Sequence, residues 1–406
     1  MVKGMKQTEI GMIPEDWEIA KLKDIADFQN GLAHENIESE FGEFIAVNSK
    51  FISQDGKVFR KVTKQLLPLF NNDLCIVMSD IPNGKALAKC FLVEEDGRYT
   101  LNQRIGRISP IKDCSKYLFY TLNRNKYFLG FDSGSGQTNL RKDEVLACPV
   151  LLPPLPEQEA IAAALSDADA WIESLEQLIA KKRLIKQGAM QELLTPKDDW
   201  EVKIIREIVA TPVTDGPHET PFFLDKGIPF LSVNNIVDNK IDWSDLRYIS
   251  EVDDIRFSKK CKPRRGDILL GKAASVGKIA IVESDYNFNI WSPLALIRID
   301  EISNKYCFYY LQTTDVLNQI KFFTNTSSQG NIGMGDIEKI EIKYPKSLSE
   351  QTRIATILSD VDAELEALEQ QLHKVRQIKQ GMMQELLTGR IRLNYDSCED
   401  YDGYSF

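Results

Sequence analysis

EQEAIAAALSDADAWIESLEQLIAKKRLIKQGAMQELLT (157–195) aligns on EQTRIATILSDVDAELEALEQQLHKVRQIKQGMMQELLT (350–388) with 25 identities in 39 positions and no gap, at a constant offset of 193 residues. This repeat constrains the fold more than any other feature of the chain. A period that long excludes a solenoid, whose units run to about 20–50 residues, so a whole module is used twice. Around the near-identical segments the copies are recognisable but divergent. WEIAKLKDIA (17–26) matches WEVKIIREIV (200–209), FIAVN (44–48) matches FLSVN (230–234), NDLCIV (72–77) parallels GDILLG (266–271), and SGQTNL (135–140) parallels SSQGNI (327–332). The parsing is a globular module (1–150), a linker and helix (151–195), a second module (196–343), a second helix (344–390) and an acidic tail (391–406).

The repeated segments have the period of long helices. Ile354, Leu358, Val361, Leu365, Leu368, Leu372 and Val375 step alternately by four and three, the seam of a coiled coil. Ile161, Leu165, Ala168, Ile172, Leu175 and Ile179 keep the same steps in the first copy. Each helix needs a partner, most simply the other. Pro153, Pro154 and Pro156 mark the start of the first, and Pro196 and Gly389 end the two copies. Gly188 and Gly381 fall at one repeat position inside the helical pattern, where glycine costs about 1 kcal/mol relative to alanine. Close approach of another chain or a kink would account for them.

The two modules read as mixed α/β. Short β-rich runs (IAVN, LCIVM, GRISPI, IPFLSV, DILLG, KIAIV, LALIRI) alternate with loops rich in Gly, Asn, Ser and Pro, and KYLFYTLNRNKYFL and NKYCFYYLQTTDVLNQIKFF read as helices. Aromatic stripes on such helices belong to cores more often than to base-stacking platforms. The expected fold is therefore α/β, mixed α+β: two similar globular modules separated by two long helices in a pseudo-two-fold tandem repeat.

No run approaches the roughly 18 apolar residues of a membrane span, and MVKGMKQTEIGMIPEDW lacks the apolar core of a signal peptide, so a cytoplasmic protein is expected. The seven cysteines contain no C-x-x-C pair, which argues for reduced core residues and against a zinc site. The formal charge of −10 counsels against a polyanion, but local runs differ. Within 256–278, Arg256, Lys259, Lys260, Lys262, Arg264, Arg265, Lys272 and Lys278 face only Asp267, a local net of +7. Smaller basic runs occupy 50–64 and 104–126. Phosphate contacts need Lys and Arg at the contact surface, not a basic average, although any single run reads equally as a solvated face.

Several enzyme motifs are approached and missed. GKAASVGKI (271–279) has five residues between Gly271 and Gly277 where a P-loop has four, and Ile279 replaces the metal-binding Ser or Thr. LLPPLP (151–156) has the prolines of a methyltransferase motif without its other residues. EKIEIKYP, with Asp336 before it, is too tightly spaced for a metal nuclease and alternates like a strand. Among His34, His218 and His373 there is no metal-ligand spacing, and no G-x-S-x-G is present.

Over essentially its full length the chain resembles the specificity (DNA-recognition) subunits of type I restriction–modification systems. TDGPHETPFFLDKGIPFLSVNNI (214–236), RRGDILLGKAASVGKIAIV (264–282), SGQTNLRKDEVLACPVLLPPLPEQEAIA (135–162) and KQGMMQELLTGRIRL (379–393) carry the resemblance, with the alternation of module and helix. NDLCIVMSDIPNGKALA in the first module departs from the glycine-led form of that loop. The resemblance implies a non-catalytic, prokaryotic subunit in which each module is a target recognition domain reading one half of a split double-stranded DNA sequence. It implies that the helices form an antiparallel coiled coil that sets the spacer and docks two modification (methyltransferase) subunits, with restriction subunits joining the full complex. S-adenosylmethionine, ATP and Mg would then bind on partner subunits and no cofactor on this chain. A 39-residue helix of about 58 Å is long enough to separate two readers by one turn of DNA, about 34–36 Å. The competing expectation is a coiled-coil scaffold without sequence-specific DNA binding.

Base and phosphate contacts require polar and basic side chains on loops. In the first module the candidates are Asn83, Lys85, Gln103, Arg104, Gln137, Asn139 and Arg141; in the second they are His218, Arg264, Arg265, Lys272, Lys278, Ser328, Gln329 and Asn331. His218 fits a turn as well as it fits a DNA contact. The repeat-matched Gln and Asn of SGQTNL and SSQGNI fit turn caps equally, and residues shared by both copies do not explain different half-sites.

Overall fold

The computed structural model describes residues 4–9, 11–80, 86–132, 138–324 and 330–393. The chain divides into two compact units, and both helices cross the division: unit 1 comprises 1–176 and 371–406, and unit 2 comprises 177–370.

Unit 1 is built on an antiparallel four-stranded sheet in the order Ala26–Asn30, Ile105–Pro110, Leu74–Val77, Cys90–Leu92. Successive side chains of a strand point to opposite faces. Leu74 and Ile76 enter one core with Tyr117, Leu118 and Ile161, while Cys75 and Val77 enter another with Ile45, Phe51 and Leu101. Burial on both faces explains why LCIV is apolar throughout. The second core is covered by a three-stranded sheet in which Phe44–Val47 pairs parallel with Tyr99–Leu101 and antiparallel with Arg60–Val62. Glu18–Lys21 pairs with Pro149–Leu152, tying the two ends of the module together.

Unit 2 repeats the four-stranded sheet, the three-stranded sheet and the closing strand pair. Its four-stranded sheet runs Thr214–Asp215, Leu294–Ile297, Ile268–Gly271, Ile279–Ile281. Ile228–Leu231 pairs parallel with Asn289–Ile290 and antiparallel with Arg247–Ile249, and Glu201–Ile204 pairs with Glu341–Tyr344. The helices expected from the sequence appear as Ser115–Leu122 and Lys126–Leu129 in unit 1, and Asn304–Tyr310 and Thr314–Phe323 in unit 2. Their aromatic residues Tyr117, Tyr120, Tyr306, Phe308, Tyr309 and Tyr310 are buried.

The first long helix spans Leu155–Leu193 and the second Leu348–Leu386. Both run unbroken through Gly188 and Gly381, whose α-carbons face open space. In unit 1 the two helices are antiparallel, because Asp169 pairs with Lys379 while Glu176 pairs with Arg376 (2.6 Å). In unit 2 the repeat-equivalent residues do the same: Asp362 pairs with Lys186 (2.6 Å) and Glu369 with Arg183 (2.7 Å). Ile161, Leu165, Ala168, Leu175 and Val375 are buried in unit 1, with Ile172 and Leu372 partly so. Ile179, Ile354, Leu358 and Leu365 are buried in unit 2, with Val361 and Leu368 partly so. Each main core takes side chains from both helices: Ile161 and Leu165 with Met382, Met383 and Leu386 in unit 1, and Ile354 and Leu358 with Met190, Leu193 and Leu194 in unit 2.

A hydrogen bond of matching design holds each module to the helices. Tyr120 donates to Asp169 Oδ2 (2.8 Å), with Lys379 over its ring, and Tyr309 donates to Asp362 Oδ2 (2.8 Å), with Lys186 over its ring. Burial, reinforced by the carboxylates, pushes both phenols well above the ordinary tyrosine range. Tyr120→Phe is expected to cost unit 1 about 1–2 kcal/mol, and Tyr309→Phe the same for unit 2, by removing a hydrogen bond to a charged acceptor. Urea melts of the single and double variants would check this, and a loss under 0.3 kcal/mol in either would deny the bond a holding role.

Gln158 and Gln351, also repeat-equivalent, are buried alike. Each donates to a carbonyl just before its helix (Pro153 or Pro345) and accepts a backbone N–H from its module (Cys114 or Ser303). Their neighbours differ. Glu350 pairs locally with Arg353, whereas the fully buried Glu157 accepts from Trp17 Nε1 (3.0 Å) and from Arg392 Nε (2.6 Å) and Nη2 (2.7 Å). Arg392 also holds Asp16 through two bonds of 2.9 and 2.7 Å. The segment read as the start of an acidic tail is therefore part of unit 1.

Candidate nucleic-acid interface

In each unit four loops meet at one end of the four-stranded sheet; two of the backbone bonds that hold them are equivalent in the two copies, and a third joins the same pair of loops from opposite sides. In unit 1, Met78 N–H donates to the Arg104 carbonyl (3.0 Å), Leu140 N–H to the Met78 carbonyl (2.7 Å), and Gly31 N–H to the Ile105 carbonyl (3.0 Å). In unit 2, Lys272 N–H donates to the Pro293 carbonyl (2.9 Å), Ile332 N–H to the Lys272 carbonyl (2.9 Å), and Ser292 N–H to the Pro217 carbonyl (3.3 Å). Gly31 and Gly216 occupy matching places, and a Cβ at either would lie 1.9 or 1.8 Å from a backbone oxygen, that of Asn102 or Ile290. Only glycine permits that approach.

The same backbone carries different side chains. At the junction shared by these bonds unit 1 has Met78 and unit 2 has Lys272, both buried; before the matched glycine unit 1 has the exposed Asn30 and unit 2 the fully buried Asp215. Asp215 Oδ1 accepts from Lys260 Nζ, which also donates to the Gly216 carbonyl (3.2 Å). Asp215 Oδ2 lies 3.0 Å from Lys272 Nζ and 3.2 Å from His218 Nε2. Oδ2 nonetheless has no well-directed hydrogen bond, so the Lys272 contact is an ion pair by distance alone. Burial pushes the Asp215 carboxyl up, but Lys260 and Lys272 outweigh it and hold it below the ordinary value of 3.8.

The eight-residue helix Glu251–Ser258 brings Lys260 to this cluster. Ser250 caps it by accepting from Asp253 N–H (3.1 Å), and Phe257 packs on Phe230 in a small core. Asp254, buried on its inner face, accepts from Lys262 (2.7 Å) and Asn289 (3.1 Å). Burial raises the Asp254 carboxyl, and Lys262 and Asn289 reverse the effect and lower it below 3.8. Both depressed aspartates contribute stability that is fully present above their unfolded pKa and lost as pH falls through the lower folded value. Unit 2 is thus expected to keep a constant urea midpoint from neutral pH to about pH 5 and to lose stability below about pH 4. An Asp215→Asn/Asp254→Asn variant with an equally steep acid limb would contradict this.

Among the sequence candidates, Arg104 stands exposed on the converging loops at φ +68°, and its guanidinium has no partner among the described residues. Gln103 beside it donates to Glu35, exposed Asn139 lies on the strand paired with Ser79–Asp80, and Arg141 folds back on Glu144 (2.9 Å). His218, Lys272 and Asn331 meet in unit 2, where Asn331 bridges Ala273. Lys278 is exposed at the end of that loop. Arg264 and Arg265 are not brought there: they precede the strand Ile268–Gly271 that Lys272 follows, a separation of about 13 Å along the strand alone. Asn83, Lys85, Gln137, Ser328 and Gln329 lie outside the described residues.

The basic run 256–278 is largely neutralised in space. Arg256 pairs with Asp253 and Glu219, Lys260 and Lys272 with Asp215, Lys262 with Asp254, and Arg265 with Asp285; the side chains of Lys259, Arg264 and Lys278 form no ion pair among the described residues. Sequence reasoning missed Asp215, whose only local signal was its place in TDGPH. Among the described residues no group of His, Cys, Asp and Glu could hold a metal, and no helix is long and apolar enough to cross a membrane. Cys75, Cys90, Cys148, Cys261 and Cys307 are buried free thiols, and burial pushes those of Cys148, Cys261 and Cys307 up to about 12. Cys398 lies outside the described residues.

The chain is thus a duplicated α/β module, each copy completed by two antiparallel helices. The family model described as type I restriction modification DNA specificity domain matches residues 14–182 and 197–377, and the chain belongs to that family. It is 24% identical over 413 residues to the type I restriction enzyme MjaVIII specificity subunit of Methanocaldococcus jannaschii, with 94% of each chain covered. To the putative MjaX specificity subunit of the same organism it is 26% identical over 432 residues, covering 96% of this chain and 97% of that one. Its fold is similar to that of the S subunit of the type I restriction–modification system from M. genitalium, with a TM-score of 0.63, 16% identity, and 95% and 99% of the two chains covered. The chain is accordingly a non-catalytic DNA-specificity subunit that directs methylation and restriction in a type I complex through bipartite recognition, alongside modification and restriction subunits.

Proposed function

We propose that residues 1–150 and 196–343 are two target recognition domains, each reading its half-site with the loop end of its four-stranded sheet. The observation that carries this reading is the contrast between the copies: the backbone bonds joining Met78, Arg104 and Leu140 recur at Lys272, Pro293 and Ile332, while the side chains differ. A fixed scaffold with variable tips suits two readers of unlike sequences. The two long helices set the spacer, and the repeat-equivalent helix faces give equivalent docking sites to two modification subunits. The matched ion pairs Asp169–Lys379 and Asp362–Lys186 support that equivalence.

The test is genome-wide methylation mapping by single-molecule sequencing in a host expressing this chain with its modification subunit, against a deletion of this chain alone. A split motif that disappears with the deletion is the expected result. Methylation unchanged by the deletion would overturn the reading and leave a scaffold.

A further inference from the structure

Unit 2 contains a charged cluster for which unit 1 has no equivalent, and the difference is local. After Arg60–Val62 unit 1 reaches Leu74–Val77 without a helix; after Arg247–Ile249 unit 2 inserts the helix Glu251–Ser258 and delivers Lys260 to the loop end. Two other positions change with it, Asn30 to Asp215 and Met78 to Lys272.

The members of the cluster differ in exposure. The side chain of Lys272 is 10% exposed and that of Asp215 is fully buried, so neither is presented to a ligand. Lys260 is 48% exposed and His218 68%. Two of the three Lys260 ammonium hydrogens go to Asp215 Oδ1 and the Gly216 carbonyl, and the third remains for an acceptor outside the protein. His218 Nε2 lies 3.2 Å from Asp215 Oδ2, which places the exposed ring beside the Lys260 ammonium at the loop end.

We infer that Lys260 and His218 form the contact pair of unit 2 for its DNA half-site, Lys260 donating to an acceptor atom of the duplex, with buried Asp215 and Lys272 as positioning residues. The inference rests on the DNA-reading function proposed above. The acceptor is a purine N7 or O6 in the major groove or a phosphate oxygen; the ammonium suits both, and the two give different signatures.

Two kinds of variant test it in the complex with the modification subunit. Lys260→Met and His218→Ala alter exposed side chains. Asp215→Asn/Lys272→Met installs the pair that unit 1 carries at the same backbone positions and avoids an unpaired buried charge. Lys260→Met is expected to weaken binding to duplexes of the mapped motif about tenfold. A base contact would also make one position of one half-site degenerate in the methylation map, the other half staying intact. A phosphate contact would leave the motif unchanged and flatten the salt dependence by about one unit of slope. The Asp215→Asn/Lys272→Met variant is expected to lose as much, and to lose nothing further when Lys260→Met is added, a non-additivity that mere destabilisation would not give. Wild-type affinity, motif and salt slope in folded Lys260→Met would overturn the inference, as would full additivity of the two sets. Loss of the motif's dependence on this chain in the deletion experiment would instead defeat the parent reading.

Discussion

Arg392→Ala is expected to lower the stability of unit 1 by about 3 kcal/mol, because it strands the buried Glu157 carboxylate with only Trp17 Nε1 as donor. Removing one partner of a buried pair costs more than the pair itself contributes, since the desolvated charge stays behind. Asp16 loses both of its guanidinium bonds at the same time. That guanidinium holds the Asp16 carboxyl below its ordinary range, so the Asp16 contribution is present above pH 4 and fades as pH falls. Gly389 makes the approach possible: at φ +70° it ends the helix, and a Cβ there would lie 2.6 Å from Pro14. For a unit of this size the expected fall in melting temperature is roughly 6–12 °C. Calorimetry of the full chain should show the unit 1 transition moving and the unit 2 transition staying; a melt identical to wild type would remove the anchoring role from Arg392.

Gly216→Ala is expected to disrupt unit 2 recognition more completely than any contact substitution. The new Cβ would fall 1.8 Å from the Ile290 carbonyl oxygen, and backbone on both sides leaves no side chain to move aside. Relief requires Asp215–His218 to separate from Trp291–Pro293, breaking the Ser292 bond to Pro217 and displacing the ion pairs at Asp215. Overpacking of this kind costs about 2–4 kcal/mol where the fold survives. Gly31→Ala makes the matching collision with the Asn102 oxygen in unit 1. Each variant should remove methylation while leaving the other unit's calorimetric transition in place, and full activity of either would show that the loop approach is dispensable.

The repeat, the long helices and the strand runs were legible because each rests on local pattern: a 39-residue near-identity, a four–three apolar step, and short β-rich runs such as LCIV, buried on both faces of a sheet. The charge balance at the candidate interface was not. Eight basic residues against Asp267 made 256–278 look like an open cationic patch, but Asp215, Glu219, Asp253, Asp254 and Asp285, all of them outside that window, reach five of the eight. Charge counted along a chain misses partners that folding brings from elsewhere. Arg392 was obscured in the same way: composition put it in an acidic tail, and its acceptors are 235 and 376 residues away in sequence. Lys272 illustrates a third limit, since its exposure depends on neighbours its own loop does not contain.

Because unit 2 is one continuous stretch, 177–370, while unit 1 needs residues 371–393 to complete its core, the order of completion during synthesis is the reverse of the order of translation. The first module leaves the ribosome early but waits for Met382, Met383, Leu386 and Arg392, with the apolar side chains around Ile161 and Leu165 open to other contacts until they arrive. A chain cut after residue 370 would therefore hold the whole second unit and an unclosed first one.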